Sequence, residues 1–431
     1  RFIPYTDNGT IAKSCMFDDG STNYLTRTQG SGSGDQKRKA TFSWWFKRGF
    51  GGFGAEICMF GAASGTKLMA RFDTANRITL RLSNGGTEYQ KITNRSFEDT
   101  SKWYHCVWQI DASQSTATDR SILYVDGDRI TSWSSDNNPG QNTDVVGLAD
   151  GSTFRIGSNS HTEGQIWDGY IAEFNYVDGS VVAPTVFGLT DTSTGRWIPK
   201  ALSSITYGNE GLRLTFANSA GQTIGDDTSG NGNDLTVTNM AADHVFTDSP
   251  TQNYPTFDTL RQTSYAYSEG NLDLTTSTNS RHALSNRLVP KTGKWYWEVQ
   301  IKNKSSGSSG CGLAIDTWST TDAGSTAEGL RVIYTAGTAS DGKLYETYSD
   351  TQYLSSQITT FAADDYLGFA YDADSGKIWI SKNGTYISSG NPVTGANHVL
   401  NAPNTFNWRF VNLGYNNGST QRHIWNFGQK A

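Results

Sequence analysis

The chain has 431 residues, with 35 Lys and Arg against 41 Asp and Glu, a formal net charge of −6 and only 18% charged residues. Aromatics reach 12%, with 13 Trp, 20 Tyr and 20 Phe beside 46 Gly and 9 Pro. Such a composition excludes coiled coils and disordered chains, and its compact basic run, Lys37-Arg38-Lys39, is too small for the phosphate-neutralising stripe of a nucleic-acid binder.

Apolar residues alternate with polar ones at a period of two, the signature of half-buried strands. In chain order the pattern predicts strands over 41–47, where Phe42, Trp44 and Phe46 share a face, and over 77–83, where Ile78, Leu80 and Leu82 alternate with Thr79 and Arg81. It continues over 104–110 (Tyr104, Cys106, Trp108, Ile110), 122–125, 170–176, 295–301, 366–371 and 378–380. Between these runs stand Asn84-Gly85, Asp126-Gly127, Asp178-Gly179, Asp341-Gly342 and Asn383-Gly384, pairs that supply the positive φ angles of tight turns. No long window carries a 3.6-residue period, so the expected fold class is all-β, in antiparallel sandwiches. From 195 to 258 the strand signal thins while Gly, Asn, Asp and Thr accumulate around Pro199, Pro250 and Pro255. The expected organisation is a sandwich over 1–194, a β-rich connector over 195–258 and a second sandwich over 259–431.

No apolar stretch reaches the roughly 18 residues of a membrane helix, and the first twenty residues show no apolar signal-peptide core. A soluble chain without a membrane partner is expected. Cys15, Cys58, Cys106 and Cys311 form no Cys-x-x-Cys pair and are too few for a disulfide scaffold. Buried free thiols are expected, with one Cys58–Cys106 bridge left open because both lie in strand patterns.

Tyr24-Leu25-Thr26, Trp44-Trp45-Phe46-Lys47, Tyr124-Val125-Asp126-Gly127 and Asp168-Gly169-Tyr170-Ile171-Ala172-Glu173-Phe174, in that order, resemble the laminin-G-like, concanavalin A-like jelly-roll family. Lys294-Trp295-Tyr296-Trp297-Glu298, Gly368-Phe369-Ala370-Tyr371-Asp372 and Ile424-Trp425-Asn426-Phe427-Gly428 are similar to the SPRY-type domain, another concanavalin-like sandwich. Between them, Gly211-Leu212-Arg213-Leu214, Asp227-Thr228-Ser229-Gly230-Asn231 and Asp248-Ser249-Pro250 are similar to the segment that joins such modules in proteins of marine tailed phages. The resemblance implies a virion protein: a tail fibre, spike or capsid decoration at the particle surface. Its partners would be other virion subunits or a host-surface glycan, and by analogy with virion parts it would be a homo-oligomer.

Concanavalin-like folds include glycoside hydrolases, which need two carboxyl groups, roughly 5–5.5 Å apart in retaining enzymes. The strand over 170–176 offers Glu173 alone, followed on its face by Asn175 and Val177, while Asp372 and Asp374 fall in a turn. No nucleophile elbow, phosphate loop or His-Glu-x-x-His motif occurs, and the six histidines are scattered. No catalytic residue is assigned and a non-enzyme is expected. The alternatives are a secreted carbohydrate-active enzyme and a calcium-binding extracellular adhesion protein.

Asp227, Ser229 and Asn231 place side-chain oxygens at alternate positions before Gly232, as the first half of a calcium loop does, although its twelfth position is Thr238. Calcium is therefore the one cofactor considered. Sugar binding sets flat aromatic rings beside a few orienting polar groups. Trp133, Trp167 and Trp318, at strand ends or in loops, are the candidates for that role.

Overall fold

The computed structural model describes residues 11–32, 35–49, 56–62, 68–148, 151–159, 165–217, 223–278, 281–303, 309–317, 329–334, 343–348, 351–354, 359–414 and 420–430. They divide into an N-terminal unit ending at Asn253 and a C-terminal unit beginning at Tyr254. Each is an antiparallel β-sandwich.

Among the described residues, the first sheet of the N-terminal unit runs Asp128–Arg129, Ser121–Val125, Tyr104–Asp111, Lys39–Arg48, Gly169–Asp178, Ser14–Phe17 and Val245–Phe246, with Leu212–Leu214 also paired to Gly169–Asp178. The second runs Trp133–Asp136, Glu88–Ser96, Arg77–Ser83, Leu68–Phe72, Ile57–Ala62, Thr153–Ile156, Tyr24–Thr28 and Thr236–Thr238. The alternating aromatics face one another between the sheets. Phe42 and Trp44 meet Phe60 of the opposite sheet at 5.1 and 4.9 Å between ring centroids, and Phe42 stacks on Tyr176 at 4.7 Å. Asp126 and Gly127 both take positive φ, 52° and 86°, as the turn chemistry requires, and Asn383 and Gly384 repeat the pattern at 49° and 81°. The Asp341-Gly342 turn lies outside the described residues.

The first sheet is covered on its outer face as well. Trp45, which alternation turns away from Trp44, stacks on His105 at 4.6 Å. Val107, Val177, Phe187 and Tyr207 form a separate apolar cluster there, built partly by the chain that follows the last long strand.

That chain is where structure and sequence expectation part. Leu212–Leu214 pairs with Gly169–Asp178, Thr236–Thr238 adds an edge beside Tyr24–Thr28, and Val245–Phe246 pairs with Ser14–Phe17. Leu212, Leu214, Phe216, Ile224, Leu235 and Val245 belong to the core of the N-terminal unit. The stretch expected as a connector over 195–258 is thus part of the first sandwich up to Asn253. Strands of two or three residues are too short to show a period, and only their partners make them strands.

In the C-terminal unit one sheet contains Lys294–Asn303 between Gln421–Asn426 and Tyr366–Asp372, and the other contains Trp408–Gly414 between Arg281–Leu288 and Ser309–Ile315. Trp297 joins the two sheets. It stacks on Phe369 at 5.2 Å and meets Phe410 of the facing sheet edge-on at 5.0 Å. All four cysteines are buried and free, Cys58 and Cys106 lying in opposite sheets, so the bridge left open does not form. No helix among the described residues is long and apolar enough to cross a membrane.

Candidate functional site

The Asp126-Gly127 turn sends the chain back as Asp128–Arg129, the edge of the first sheet, where Ile130 donates its backbone N–H to the Leu123 carbonyl at 2.8 Å. The chain then crosses within three residues to the edge of the second sheet, where Trp133 pairs with Thr93. A cavity of about 310 Å³ opens at this crossing, with Ile122, Ile130 and Trp133 as apolar wall, Thr118 and Thr131 as hydroxyls and Lys91, Arg129 and Asp136 as charges.

Lys91 shapes the cavity. Its Nζ donates to the Ser121 carbonyl at 2.9 Å and to Asn138 Oδ1 at 3.1 Å, and pairs with Asp136 Oδ1 at 2.8 Å. It therefore ties the edge of one sheet to a strand of the other. The ammonium also stands 4.4 Å from the centre of the Trp133 ring, a cation–π contact that orients the indole. Burial holds the Lys91 pKa below the usual amine range, offset in part by the hydrogen bond and charge of Asp136. Arg129 donates Nη2 to Asp119 Oδ1 at 2.6 Å and to the Thr118 carbonyl at 3.1 Å. Its Nε and Nη1 make no hydrogen bond among the described residues. A half-buried indole, two hydroxyls and a guanidinium with donors to spare fit the recognition of a polar ring with a flat apolar face.

Residues 19–186 match the concanavalin A-like lectin/glucanases superfamily. This concanavalin A-like, laminin-G-like domain includes both edges that form the cavity. No curated protein matches the chain. Among solved structures, the SPRY domain of human HERC1 is 14% identical, with 41% of this chain and 99% of that one covered and a TM-score of 0.31. A heptameric SAP-like pentraxin from Limulus polyphemus is 15% identical, covering 40% and 79%, at 0.30. Domains LG4-5 of the mouse laminin α1 chain are 12% identical, covering 98% and 87%, also at 0.30.

Trp133 is the one sugar-binding candidate that the concanavalin A-like domain places in a cavity. Trp167 is fully buried between the sheets, stacked on Phe72 at 5.8 Å and edge-on to Phe46 at 5.8 Å, so it is a core residue and not a ligand platform. Trp318 lies outside the described residues. The calcium candidates are likewise occupied. Asp227 accepts from the backbone of Arg213, Ser229 and Asn233 and from Ser229 Oγ, all between 2.8 and 2.9 Å, while Asn231 Nδ2 donates to the carbonyls of Gly208 and Gly211. These groups staple a loop, and among the described residues no cluster of three or more His, Cys, Asp or Glu is arranged to hold a metal ion. Glu173 is paired with Arg213 at 2.6 Å on a bulge of its strand, where its φ is 45°.

Sequence reasoning missed Lys91 and Arg129. The signal for Lys91 was present: it shares the inward phase of its strand with Tyr89 and Thr93, an unusual place for a lysine unless it has partners. Arg129 carries no such mark, because its role depends on the edge of another sheet.

Proposed function

We propose that this protein is a non-enzymatic carbohydrate-binding and adhesion protein, and that its N-terminal domain takes a glycan in the Trp133 cavity. The observation that carries this is the half-buried Trp133 ring, fixed by Lys91 and flanked by Arg129, Thr118 and Thr131, at the open edges of a concanavalin A-like domain. Of the residues lining the cavity, Asp136 is the single carboxylate, and it is committed to Lys91. That supports binding over glycosidic hydrolysis, for which a carboxyl pair is needed.

On the scale of the whole chain, we read the protein as a surface component of a tailed-phage virion, a tail fibre, spike or capsid decoration, assembled as a homo-oligomer. The order of the motifs along the sequence supports that reading. Few charges and many uncharged polar residues suit a surface that meets sugars or neighbouring subunits.

Binding is tested by titrating intrinsic fluorescence with host-surface polysaccharide fragments, comparing wild type with W133A and R129A. Each variant is expected to bind at least about tenfold more weakly while keeping a native circular dichroism spectrum. Undiminished affinity in folded W133A would overturn the assignment. For the virion reading, mass spectrometry of purified particles should find the chain, and its recovery only from the soluble cell fraction would refute it.

A further inference from the structure

Lys47, on the Lys39–Arg48 strand, and Asp248, near the end of the N-terminal unit, are both completely buried. The Lys47 Nζ lies 2.8 Å from Asp248 Oδ2 and 2.9 Å from Asn253 Oδ1. Both partners are held from behind. Trp103 Nε1 donates to Asp248 Oδ1 at 3.0 Å, Ser14 Oγ donates to the Asp248 carbonyl at 2.6 Å, and Asn253 Nδ2 donates to the Ser101 carbonyl at 2.8 Å. The last bond sets the amide orientation, so that its oxygen faces the lysine. The ring of Tyr170 lies 5.8 Å from Nζ and 6.2 Å from the Trp103 ring, which makes part of the surroundings aromatic.

A buried ion pair stabilises a fold little better than apolar residues would. A lysine that touches a carboxylate and a side-chain amide at once, away from water, is set up for chemistry. We propose that Lys47 and Asn253 join in an intramolecular amide cross-link, with Asp248 as the proton carrier. One ammonium proton passes from Nζ to Asp248 Oδ2, and the freed amine attacks Asn253 Cγ. Asp248, now an acid, stabilises the developing charge on the amide oxygen and returns its proton. The Nζ–Cγ bond forms and the Cγ–Nδ2 bond breaks. Of the three ammonium hydrogens, one stays on the new amide and two leave with the asparagine nitrogen as ammonium, so Asp248 ends as the carboxylate it began as. No oxidant, reductant or co-reactant is consumed.

The bond would join positions 206 residues apart. It would bypass the Val245–Phe246 strand, which is held by two register pairs and would peel first under load from the Asn253 end. Force would pass instead into the Lys39–Arg48 strand, a useful property in an adhesion protein.

Intact-mass measurement of the full chain should read about 17 Da below the sequence mass, one ammonia lost. Tandem mass spectrometry of a digest should find a branched peptide linking Lys47 to Asn253. The N253A chain, altered at a half-buried position, should fold and show its full sequence mass, as should K47R. A wild-type chain at its full sequence mass would overturn the proposal. So would a loss of about 17 Da that maps to a cyclised asparagine while Lys47 is recovered unmodified.

Discussion

Trp197 donates its indole N–H to Nδ1 of His105 at 2.9 Å. With Nδ1 accepting, the neutral imidazole carries its proton on Nε2 and donates it to Ser43 Oγ at 2.9 Å. The distance is that of a hydrolytic serine–histidine pair, but the proton points the wrong way: a general base needs a free Nε2 lone pair at the hydroxyl. His105 is therefore a bridge between the first sheet and the chain that covers it.

Burial pushes the pKa of His105 in the N-terminal unit, and of His423 in the C-terminal unit, down to about 3. Between that value and the ordinary 6.5, the unfolded chain binds protons that the folded chain refuses. Stability is thus complete above about pH 6.5 and falls as pH drops toward the folded values, with each histidine contributing. Melting curves between pH 7 and 4 should show Tm falling, and H105Q should flatten the dependence for the N-terminal unit alone. A Tm constant over that range would contradict the assignment.

The Trp197 indole occupies a slot between two glycines. A Cβ on Gly127 would stand 2.5 Å from Trp197 Cε3, and one on Gly188 2.5 Å from Cε2. Gly127 also has φ of +86°, so G127A meets both a clash and backbone strain and should cost about 2–4 kcal/mol. G188A, with the clash alone, should cost about 1–3 kcal/mol. Urea unfolding checks both, and equal costs would show that φ contributes nothing.

Because the Asp227 carboxylate is filled by four donors, removing divalent cations with a chelator should leave the Tm unchanged. D227A should instead lower stability by about 1–3 kcal/mol, since the donors it satisfies lose their acceptor. A Tm that drops with chelator and recovers with calcium would restore a metal site.

Replacing Lys91 with methionine keeps the length of the side chain and removes the ties to Ser121, Asn138 and Asp136. The expected cost is about 1–3 kcal/mol. Trp133 would lose its cation partner and its emission should shift, with glycan affinity falling alongside. Unchanged emission would mean that Lys91 does not position the ring.

The sequence by itself determined the all-β class, the long strands and several of their turns, because alternation and turn chemistry are local: Phe42, Trp44 and Phe46 face inward for the reason their spacing predicts. It also placed Trp133 after the Tyr124–Gly127 hairpin and Trp167 at the opening of the strand over 170–176. Only the tertiary structure decided that Trp167 is sealed between the sheets while Trp133 is left at an open edge, since coverage of a side chain is set by elements remote in sequence. The same holds for the supposed connector. Leu212–Leu214, Thr236–Thr238 and Val245–Phe246 are strands because existing strands supply their hydrogen-bond partners, and that information lies about 35 to 230 residues away along the chain. Lys47, Asp248 and Asn253 are ordinary polar residues in the sequence, and only the fold buries the Lys47–Asp248 pair and sets Asn253 beside it.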